Sequence, residues 1–436
     1  MAGGFLPATC HRMRFSRLST CAFAFTLLAM ALGAAGGQDA AAPSPATPLD
    51  PAAVVADALK PQADHGATLQ VVYQGGALGD LSGGYARGST YEALLTVSLK
   101  LDLQKLVNWN GATFYVSGLD PQGTSVTQRY VHDYNVVNSV DGSYNSVRLF
   151  ELWLQQALWD GKFTIRVGQL TTDTDFFNSA NAALYINSIF GTMGPEAHNI
   201  DLPTYPLASE GIRLHVDLTP SLYVQALSVD DNPGSPIIDN RHGGRFGFDS
   251  RHGVLSFLEG GYTAPQAANA TMPAADYKVG GYYDTQFHPD VAVATDSHGT
   301  YGFYLMTDQP LYTAHGSTAD SPRGVAGFAR ISGAPDQRNP VVYYFDAGLN
   351  GMGLIPGRPK DVMGLAFSFE RLGTDVQLAS GEPVVSHHEH VIELTYQANL
   401  TGSFAVQPDL QYVINPGGFY RTPNALVAGV MFNLTF

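Results

Sequence analysis

The sequence predicts an all-β protein in the form of a transmembrane antiparallel β-barrel with long outer loops and short periplasmic turns. The chain starts with a basic and then apolar segment typical of export, and it ends in an alternating strand whose last residue is aromatic. No later stretch offers the roughly 18 consecutive apolar residues that a spanning helix needs. With 47 glycines, 22 tyrosines and only 14% charged residues, the composition favours many short strands joined by turns.

The beginning of the chain has the pattern of a secretory signal peptide. A basic head between Arg12 and Arg17 precedes the apolar run Cys21–Leu32, and small residues follow. The only two cysteines, Cys10 and Cys21, lie in this leader, so we expect no disulfide and no cysteine metal site in the exported chain. A cleaved signal peptide and a barrel together predict the bacterial outer membrane as the location.

Three segments are expected along the chain. Residues 1–37 form the signal peptide, residues 38–65 form a flexible segment rich in alanine and proline, and residues 66–436 form the barrel. The net charge of −15 makes nucleic acid a poor partner. The chain contains no phosphate-binding loop, no dinucleotide fingerprint and no Gly-x-Ser-x-Gly motif, so we predict neither an enzyme nor a cofactor.

The last strand carries the clearest pattern. One face is wholly apolar and comprises Leu426, Ala428, Val430, Phe432, Leu434 and Phe436. The other face is smaller or more polar and comprises Val427, Gly429, Met431, Asn433 and Thr435. In a barrel the apolar face meets membrane lipid and the other face meets the lumen. The aromatic terminus Phe436 is the signal that barrel assembly machinery reads, so we expect lipid and that machinery as partners.

A β-hairpin is predicted around the sequence Trp159-Asp160-Gly161-Lys162. The Asp-Gly pair supplies the two positive-φ positions of a two-residue turn. This turn makes Gln155 oppose Arg166 on a polar face, while the neighbouring residues form an apolar face. A row of buried charges would be costly in a soluble core but not beside a wet lumen.

Other segments have strand-like patterns, and we predict strands for them as well. They are Thr90–Leu103, Gly111–Leu119, Gly211–Leu218, Leu222–Ser228, Tyr277–Phe287, Gly302–Thr307, Gly324–Ile331, Val341–Leu349, Val362–Phe369, Ile392–Gln397 and Phe404–Ile414. Because the Asp160-Gly161 turn would be periplasmic, the long stretch Thr171–Ser209 would be an outer loop. Its apolar runs suggest the hypothesis that it folds inward and narrows the channel.

From about His65 to Phe436 the chain resembles the carbohydrate-selective porin family of the OprB type. The resemblance is carried by Gly111–Leu119, Leu149–Gly168, Tyr277–Tyr283, Asp346–Leu349, Pro356–Asp361, Ile392–Tyr396 and Gln407–Gly418. It implies about sixteen antiparallel strands, which agrees with roughly 370 residues at about 23 per strand and connection. It also implies passive, facilitated diffusion of glucose-like sugars. Association of barrels into a homo-oligomer stays open.

Channel-lining residues follow from strand parity. A sugar-selective constriction needs charged and amide groups that hydrogen-bond to hydroxyls without holding them tightly. The candidates on the predicted lumen faces are Glu151, Gln155, Arg166, Arg213, His215, Asp346 and Glu393. Arg166 is the first choice, because a guanidinium can bridge two sugar oxygens or pair with Glu151.

Two motifs suggest other chemistry. The run His387–His390 could contribute metal ligands, but a metal site needs a further ligand, and we interpret the run as an exposed loop before the next strand. The pairs Asp173/Asp175 and Asp230/Asp231 could be the two carboxylates of a glycosidase, but we interpret them as solvated loop residues.

Two alternatives to a sugar porin are considered. A general or organic-acid-selective porin would share the fold and would be blocked by anions instead of sugars. An outer-membrane enzyme or a secreted β-rich sugar-binding protein belongs to a different class. Solubility without detergent after export would favour the secreted protein.

Overall fold

The computed structural model describes residues 65–247, 253–287, 298–373, 387–418 and 421–436. In these residues sixteen antiparallel strands form one closed barrel, in which each strand pairs with the next and the last pairs with the first. The strands are β1 Ala67–Ser82, β2 Gly88–Asp102, β3 Ala112–Gly123, β4 Arg148–Leu158, β5 Phe163–Leu170, β6 Ser209–Thr219, β7 Leu222–Asp230, β8 Val254–Thr263, β9 Asp276–Phe287, β10 His298–Thr313, β11 Gly324–Gly333, β12 Val341–Met352, β13 Val362–Leu372, β14 His388–Asn399, β15 Phe404–Ile414 and β16 Ala425–Thr435. The predicted barrel is confirmed.

The last strand closes the barrel against the first. Tyr73 pairs with Leu434 in the β1–β16 ladder. At the end of the ladder Val71 and Phe436 exchange two backbone hydrogen bonds of 3.2 and 2.8 Å. The carboxy-terminal aromatic residue therefore belongs to the seam that removes the two free sheet edges.

The predicted hairpin register is confirmed between β4 and β5. Gln155 pairs with Arg166, and Leu158 pairs with Phe163. Asp160 and Gly161 have φ angles of 56° and 87°, and the Lys162 N–H donates to the Trp159 carbonyl at 3.2 Å. These are the features of the type I′ turn that the Asp-Gly pair predicts.

Two strands, β1 and β8, were not among the predicted segments. Each contains a glycine pair that interrupts the alternation, namely Gly75-Gly76 and Gly260-Gly261. A Cβ on Gly76 would lie 2.2 Å from the Val430 carbonyl oxygen, and one on Gly261 would lie 2.1 Å from the Tyr223 ring. The neighbouring strand leaves no room for a side chain at these positions, so glycine is needed there. Because glycine has no side chain, the alternation of apolar and polar residues is interrupted and the sequence does not show the strand.

The connections differ at the two ends of the barrel. At the end that holds the chain termini, residues 159–162, 220–221 and 400–403 are tight turns, as predicted. The connections 264–275 and 314–323 at the same end are longer than predicted, and they contact each other through Thr271 and Ser317. At the opposite end, residues 124–147 and 171–208 form long loops with helices of at most five residues. Within the described residues, no helix has the length and apolar character needed to cross a membrane.

The wall of the barrel has an apolar outside and a polar inside. Exposed apolar side chains cover the outward face and include Leu158, Val167, Ile212, Val279, Leu305, Leu349, Leu365, Leu394 and Val430. The inward positions carry buried polar groups, among them Glu92, Gln225, Glu259, Asp346, Glu393 and Gln411. This arrangement is inverted relative to a soluble core and is the one that a lipid-facing barrel requires.

Candidate functional site

The long loop formed by residues 171–208, called the constriction loop here, folds into the barrel. Its apolar side chains pack on aromatic residues of the inner wall: Phe177 meets Tyr304 edge-on at 5.9 Å, and Phe190 meets Phe328 edge-on at 6.4 Å. Phe176, Phe177, Ile189 and Phe190 are almost wholly buried. The hypothesis that this loop folds inward is confirmed.

Buried carboxylates of the wall fasten the constriction loop by accepting hydrogen bonds from its backbone. Glu259 on β8 accepts from the Phe177 N–H at 3.0 Å. Asp308 on β10 accepts from the Asn181 N–H at 3.2 Å and from its side-chain amide at 2.8 Å. Glu393 on β14 accepts from the backbone N–H groups of residues 186 and 187 at 2.6 and 3.0 Å. Each charge-assisted bond satisfies a donor that would be costly to bury alone.

A buried ion pair supports the middle of the constriction loop. Arg330 on β11 and Asp346 on β12 pair at the inner wall, and neither side chain is exposed. Arg330 donates to the Ile189 and Gly191 carbonyls, each at 3.2 Å. Tyr344 adds a 2.9 Å bond to the Ile189 carbonyl. The wall therefore offers acceptors to the loop's N–H groups and donors to its carbonyls.

The loop of residues 124–147 also enters the barrel and contacts the constriction loop. Glu389 on β14 accepts from the Tyr134 and Asn135 N–H groups at 2.8 and 3.2 Å. The Ser188 N–H donates to the Val136 carbonyl at 3.0 Å. Both long loops thus form one hydrogen-bonded layer that narrows the lumen.

A cavity of about 450 Å³ remains between the constriction loop and the opposite wall. It is bordered by β1 to β4 and β14 to β16, because the loop is fastened mainly to the intervening strands. Its polar lining includes Gln74, Thr96, Asn138, Asp173, Thr174, Gln397, Gln407 and Asn433. Amide and hydroxyl groups of this kind both donate and accept hydrogen bonds.

A charged cluster lies where the constriction loop leaves β5. Arg166 on β5 donates to Gln155 on β4 at 3.1 Å and to Asp175 of the loop at 2.6 Å. Arg213 on β6 lies 3.2 Å from the same Asp175 carboxylate and donates to Gln225 on β7 at 2.6 Å. One carboxylate therefore bridges two guanidinium groups that would otherwise repel each other.

The sequence-predicted residues fall into two groups in space. Gln155, Arg166 and Arg213 meet in the charged cluster, and His215 reaches it with Nδ1 3.4 Å from the Arg213 guanidinium. Glu151 lies on the inward face of β4, almost buried, and its N–H donates to Ser117.

The other two predicted residues, Asp346 and Glu393, lie inward but completely buried beneath the constriction loop. Their contacts are with the wall and the loop, as described above. Strand parity found their face, but they belong to β12 and β14, which lie across the barrel from β5 and β6 and so away from the charged cluster.

The interpretation of the acidic pairs as solvated loop residues is wrong. The Asp175 side chain is only 14% exposed and binds two arginines. Asp230 and Asp231 are 2% and 0% exposed. Asp175 is the residue of the charged cluster that the sequence reasoning missed, although its position five residues after β5 was a usable signal.

The histidine run is not an exposed loop either. Residues His388–His390 begin β14, with Glu389 pointing inward to the loop 124–147. His388 and His390 point outward, and their rings lie 4.9 Å apart. The described part of the chain contains no group of three or more histidine, cysteine or acidic side chains placed to hold a metal ion.

Burial sets the ionisation of three groups in the constriction loop. It raises the pKa of Asp173, although the Thr204 hydroxyl donates to this carboxyl at 2.6 Å. It raises the pKa of Glu196 to about 8, against the opposing effect of hydrogen bonds from Ser332. It lowers the pKa of His198 to about 4. All three shifts favour the neutral form and reduce the charge of the loop inside the barrel.

A closed sixteen-stranded barrel with a loop folded into its lumen defines a porin-type channel. The chain belongs to the carbohydrate-selective porin, OprB family, whose family model matches residues 86–436. It is therefore a carbohydrate-selective outer-membrane porin and not an enzyme. The resemblance found in the sequence is confirmed.

Individual relatives cover most of the chain. It is similar to Porin B of Pseudomonas aeruginosa, with 25% identity over 413 residues that span 86% of this chain and 88% of that protein. It is 22% identical over 388 residues to the putative porin QuiX of Acinetobacter baylyi, spanning 82% and 86% of the two chains. The high-pH structure of Pseudomonas putida OprB superposes with a TM-score of 0.78 at 24% identity, covering 86% of this chain and 96% of that one. This likeness supports the fold.

Proposed function

We propose that this porin passes glucose-like monosaccharides by passive, facilitated diffusion through a water-filled channel beside the constriction loop that runs past the charged cluster. The observation that carries the proposal is the bridging of Arg166 and Arg213 by Asp175. Two guanidinium groups and one carboxylate offer both donors and acceptors while their charges partly cancel. Such a site suits sugar hydroxyls, whereas two unpaired arginines would favour anions.

The predicted lining residues take two roles in this proposal. Glu151, Gln155, Arg166, Arg213 and His215 contact the permeant at or near the charged cluster. Asp346 and Glu393 act through the constriction loop, because both are fully buried beneath it. Weak, exchangeable contacts are sufficient, since a channel that binds its permeant tightly would conduct slowly.

Swelling of proteoliposomes in a panel of sugars tests the proposal. We expect hexoses to enter faster than disaccharides and faster than size-matched amino acids, and Arg166→Ala to reduce that preference. The control is Arg241→Gln, an exposed basic residue of an outer loop. Equal rates for hexoses and amino acids in the wild-type protein would refute sugar selectivity at this site.

The ends of the chain belong to the same proposal. We infer that residues 1–37 are a signal peptide, that residues 38–65 stay outside the barrel, and that residues 66–436 form it. Recognition of Phe436 by the assembly machinery is supported by its place in the closing seam. N-terminal sequencing of the purified protein identifies the cleavage site, and cross-linking in native membranes tests for a homo-oligomer.

A further inference from the structure

The histidines of β14 belong to an outward surface near the end of the barrel that carries the long loops. His388 stacks on Phe369 at 6.1 Å, and His390 stacks on Phe367 at 5.7 Å. Below them on the same strand, Ile392 and Leu394 are exposed apolar residues. The histidines therefore mark the border between the apolar belt and its polar rim, where the headgroups of membrane lipids lie.

Arg371 completes a basic patch, defined here as Arg371, His388 and His390. Arg371 pairs with His388 in the β13–β14 ladder and with Tyr343 in the β12–β13 ladder, so it faces outward beside them. Its side chain is exposed, and it forms no ion pair within the described residues. The nearest acidic residues on these strands point inward, where Glu389 binds loop 124–147. The Arg371 guanidinium therefore gives the patch a positive charge, and the two imidazoles lie beside it on the face that meets the membrane.

An apolar groove of about 480 Å³ on the outer wall adjoins this patch at Phe367 and Ile392 and extends from there towards β10. Its sides are formed by Leu349, Leu365, Phe367 and Ile392, and its floor by small residues that include Gly327 and Ala347. Phe367 belongs to the groove and also supports the His390 ring. Patch and groove thus form one continuous surface with a charged upper end and an apolar lower end.

We propose that this surface binds a phosphorylated lipid of the outer leaflet. The phosphate contacts Arg371 and the two histidines, and one acyl chain lies in the groove. Guanidinium and imidazole donors suit phosphate oxygens, and the apolar lining of the groove suits a hydrocarbon chain. A lipid is the occupant because only a lipid carries both groups in this order. This inference rests on the proposed porin function and on the predicted periplasmic position of the Asp160-Gly161 turn, which places the patch at the outer leaflet.

Binding of purified lipid A to the full-length protein in detergent tests this site. We expect Arg371→Gln combined with His388→Gln and His390→Gln to weaken binding at least about tenfold. Ala347→Phe, which fills the groove, should also weaken it. Matched controls are Arg241→Gln, an exposed basic residue elsewhere, and Ala226→Phe, an outward small residue on β7. Both controls should bind lipid A like the wild type.

Three outcomes would overturn the proposal. They are wild-type affinity in the triple variant, equal affinity for enzymatically dephosphorylated lipid A, and displacement of lipid A by an equal concentration of inorganic phosphate. Hexose swelling is measured with the same variants and is expected to be unchanged. If the wild type binds lipid A but shows no sugar preference, the proposed function fails while this site stands, so the two failures are distinguishable.

Discussion

The guanidinium carbon of Arg166 lies 4.3 Å from the centre of the Trp153 ring. Tyr115 stacks on the same ring with centroids 4.8 Å apart. Because Tyr115 comes from β3 and Arg166 from β5, on either side of β4, both faces of the indole are covered. Trp153 therefore positions Arg166 and does not offer a flat surface on which a sugar ring could stack.

Replacing Trp153 should loosen Arg166 and weaken the interaction with sugar. A cation–π contact contributes about 0.5–2 kcal/mol, so we expect Trp153→Ala to raise the half-saturating glucose concentration roughly two- to thirty-fold. Block of ion current by glucose in planar bilayers measures it. The control is Trp109→Ala, since Trp109 is exposed and donates to Gln156 at the end of the barrel that holds the chain termini. An unchanged half-saturating concentration in Trp153→Ala would contradict this role.

Removing the Asp175 charge should make the channel prefer anions. The two arginines and the carboxylate carry a net charge of +1, and Asp175→Asn raises it to +2. We expect the reversal potential in a KCl gradient to shift towards that of chloride and hexose swelling to slow. Asp239→Asn, in an exposed pair with Arg245, is the control and should leave both unchanged. A shift of equal size in the control would show that the effect is not local.

Glu259 should determine how firmly the constriction loop is seated. Its carboxylate accepts from Phe177 N–H, Gln225, Tyr223 and Tyr304 at distances between 2.8 and 3.0 Å. In Glu259→Gln one carboxylate oxygen is replaced by an amide NH2 group, which cannot accept a hydrogen bond from these donors. We expect this to reduce the stability of the seated loop by about 1–3 kcal/mol. We expect a larger single-channel conductance and faster disaccharide swelling.

The matched control for Glu259 is Glu210→Gln, because Glu210 accepts one exposed bond from the Gly247 N–H. It should keep the wild-type conductance. A Glu259→Gln channel with wild-type conductance and unchanged heat stability would show that the other carboxylates hold the loop without it.

The seating of the constriction loop should weaken as the pH rises. Burial raises the pKa of Glu196 from 4.5 to about 8, so the seated carboxyl stays neutral while a released one ionises. The stabilisation of the seated loop therefore decreases as the pH rises from 4.5 to about 8 and stays constant above that range. We expect current fluctuations to increase over this range in the wild type and less in Glu196→Gln. The opposite slope would contradict the shift.

Gly161 should matter for its backbone conformation alone. It has a φ of 87° and no atom within 4 Å of the position of an added Cβ. Gly161→Ala should reduce the free energy of unfolding by about 1 kcal/mol, the cost of a left-handed conformation for an L-residue. Gly402→Ala is the control, because Gly402 has equally open surroundings and no positive φ. Urea titration in lipid vesicles measures both variants, and equal values would contradict the turn assignment.

Local sequence patterns predicted every strand of the barrel wall except β1 and β8. Alternation and the Asp160-Gly161 turn determined which face of β4 and β5 is inward, since a slip of one residue would place Arg166 in lipid. Parity does not say which side of the barrel a strand occupies, and Asp346 on β12 and Glu393 on β14 consequently lie across the barrel from β5 and β6, under the loop instead of in the charged cluster.

The position of the constriction loop depends on contacts that no local pattern contains. The partners Phe177 and Glu259 are 82 residues apart, and Asn181 and Asp308 are 127 apart. Length and apolar content could predict that the loop folds inward. They could not predict that a carboxylate such as Asp308 would be buried to receive it, because a charged residue is normally expected to remain solvated.

The carboxylates that hold the constriction loop lie later in the chain than the loop itself, and this has a consequence for biogenesis. The N–H groups of residues 186 and 187 are held by Glu393, which is more than 200 residues further along the chain. A barrel that has not yet incorporated β14 has no seat for this part of the loop. We therefore expect a nascent or truncated barrel to leak solutes of many kinds, so that discrimination is acquired only as the wall is completed.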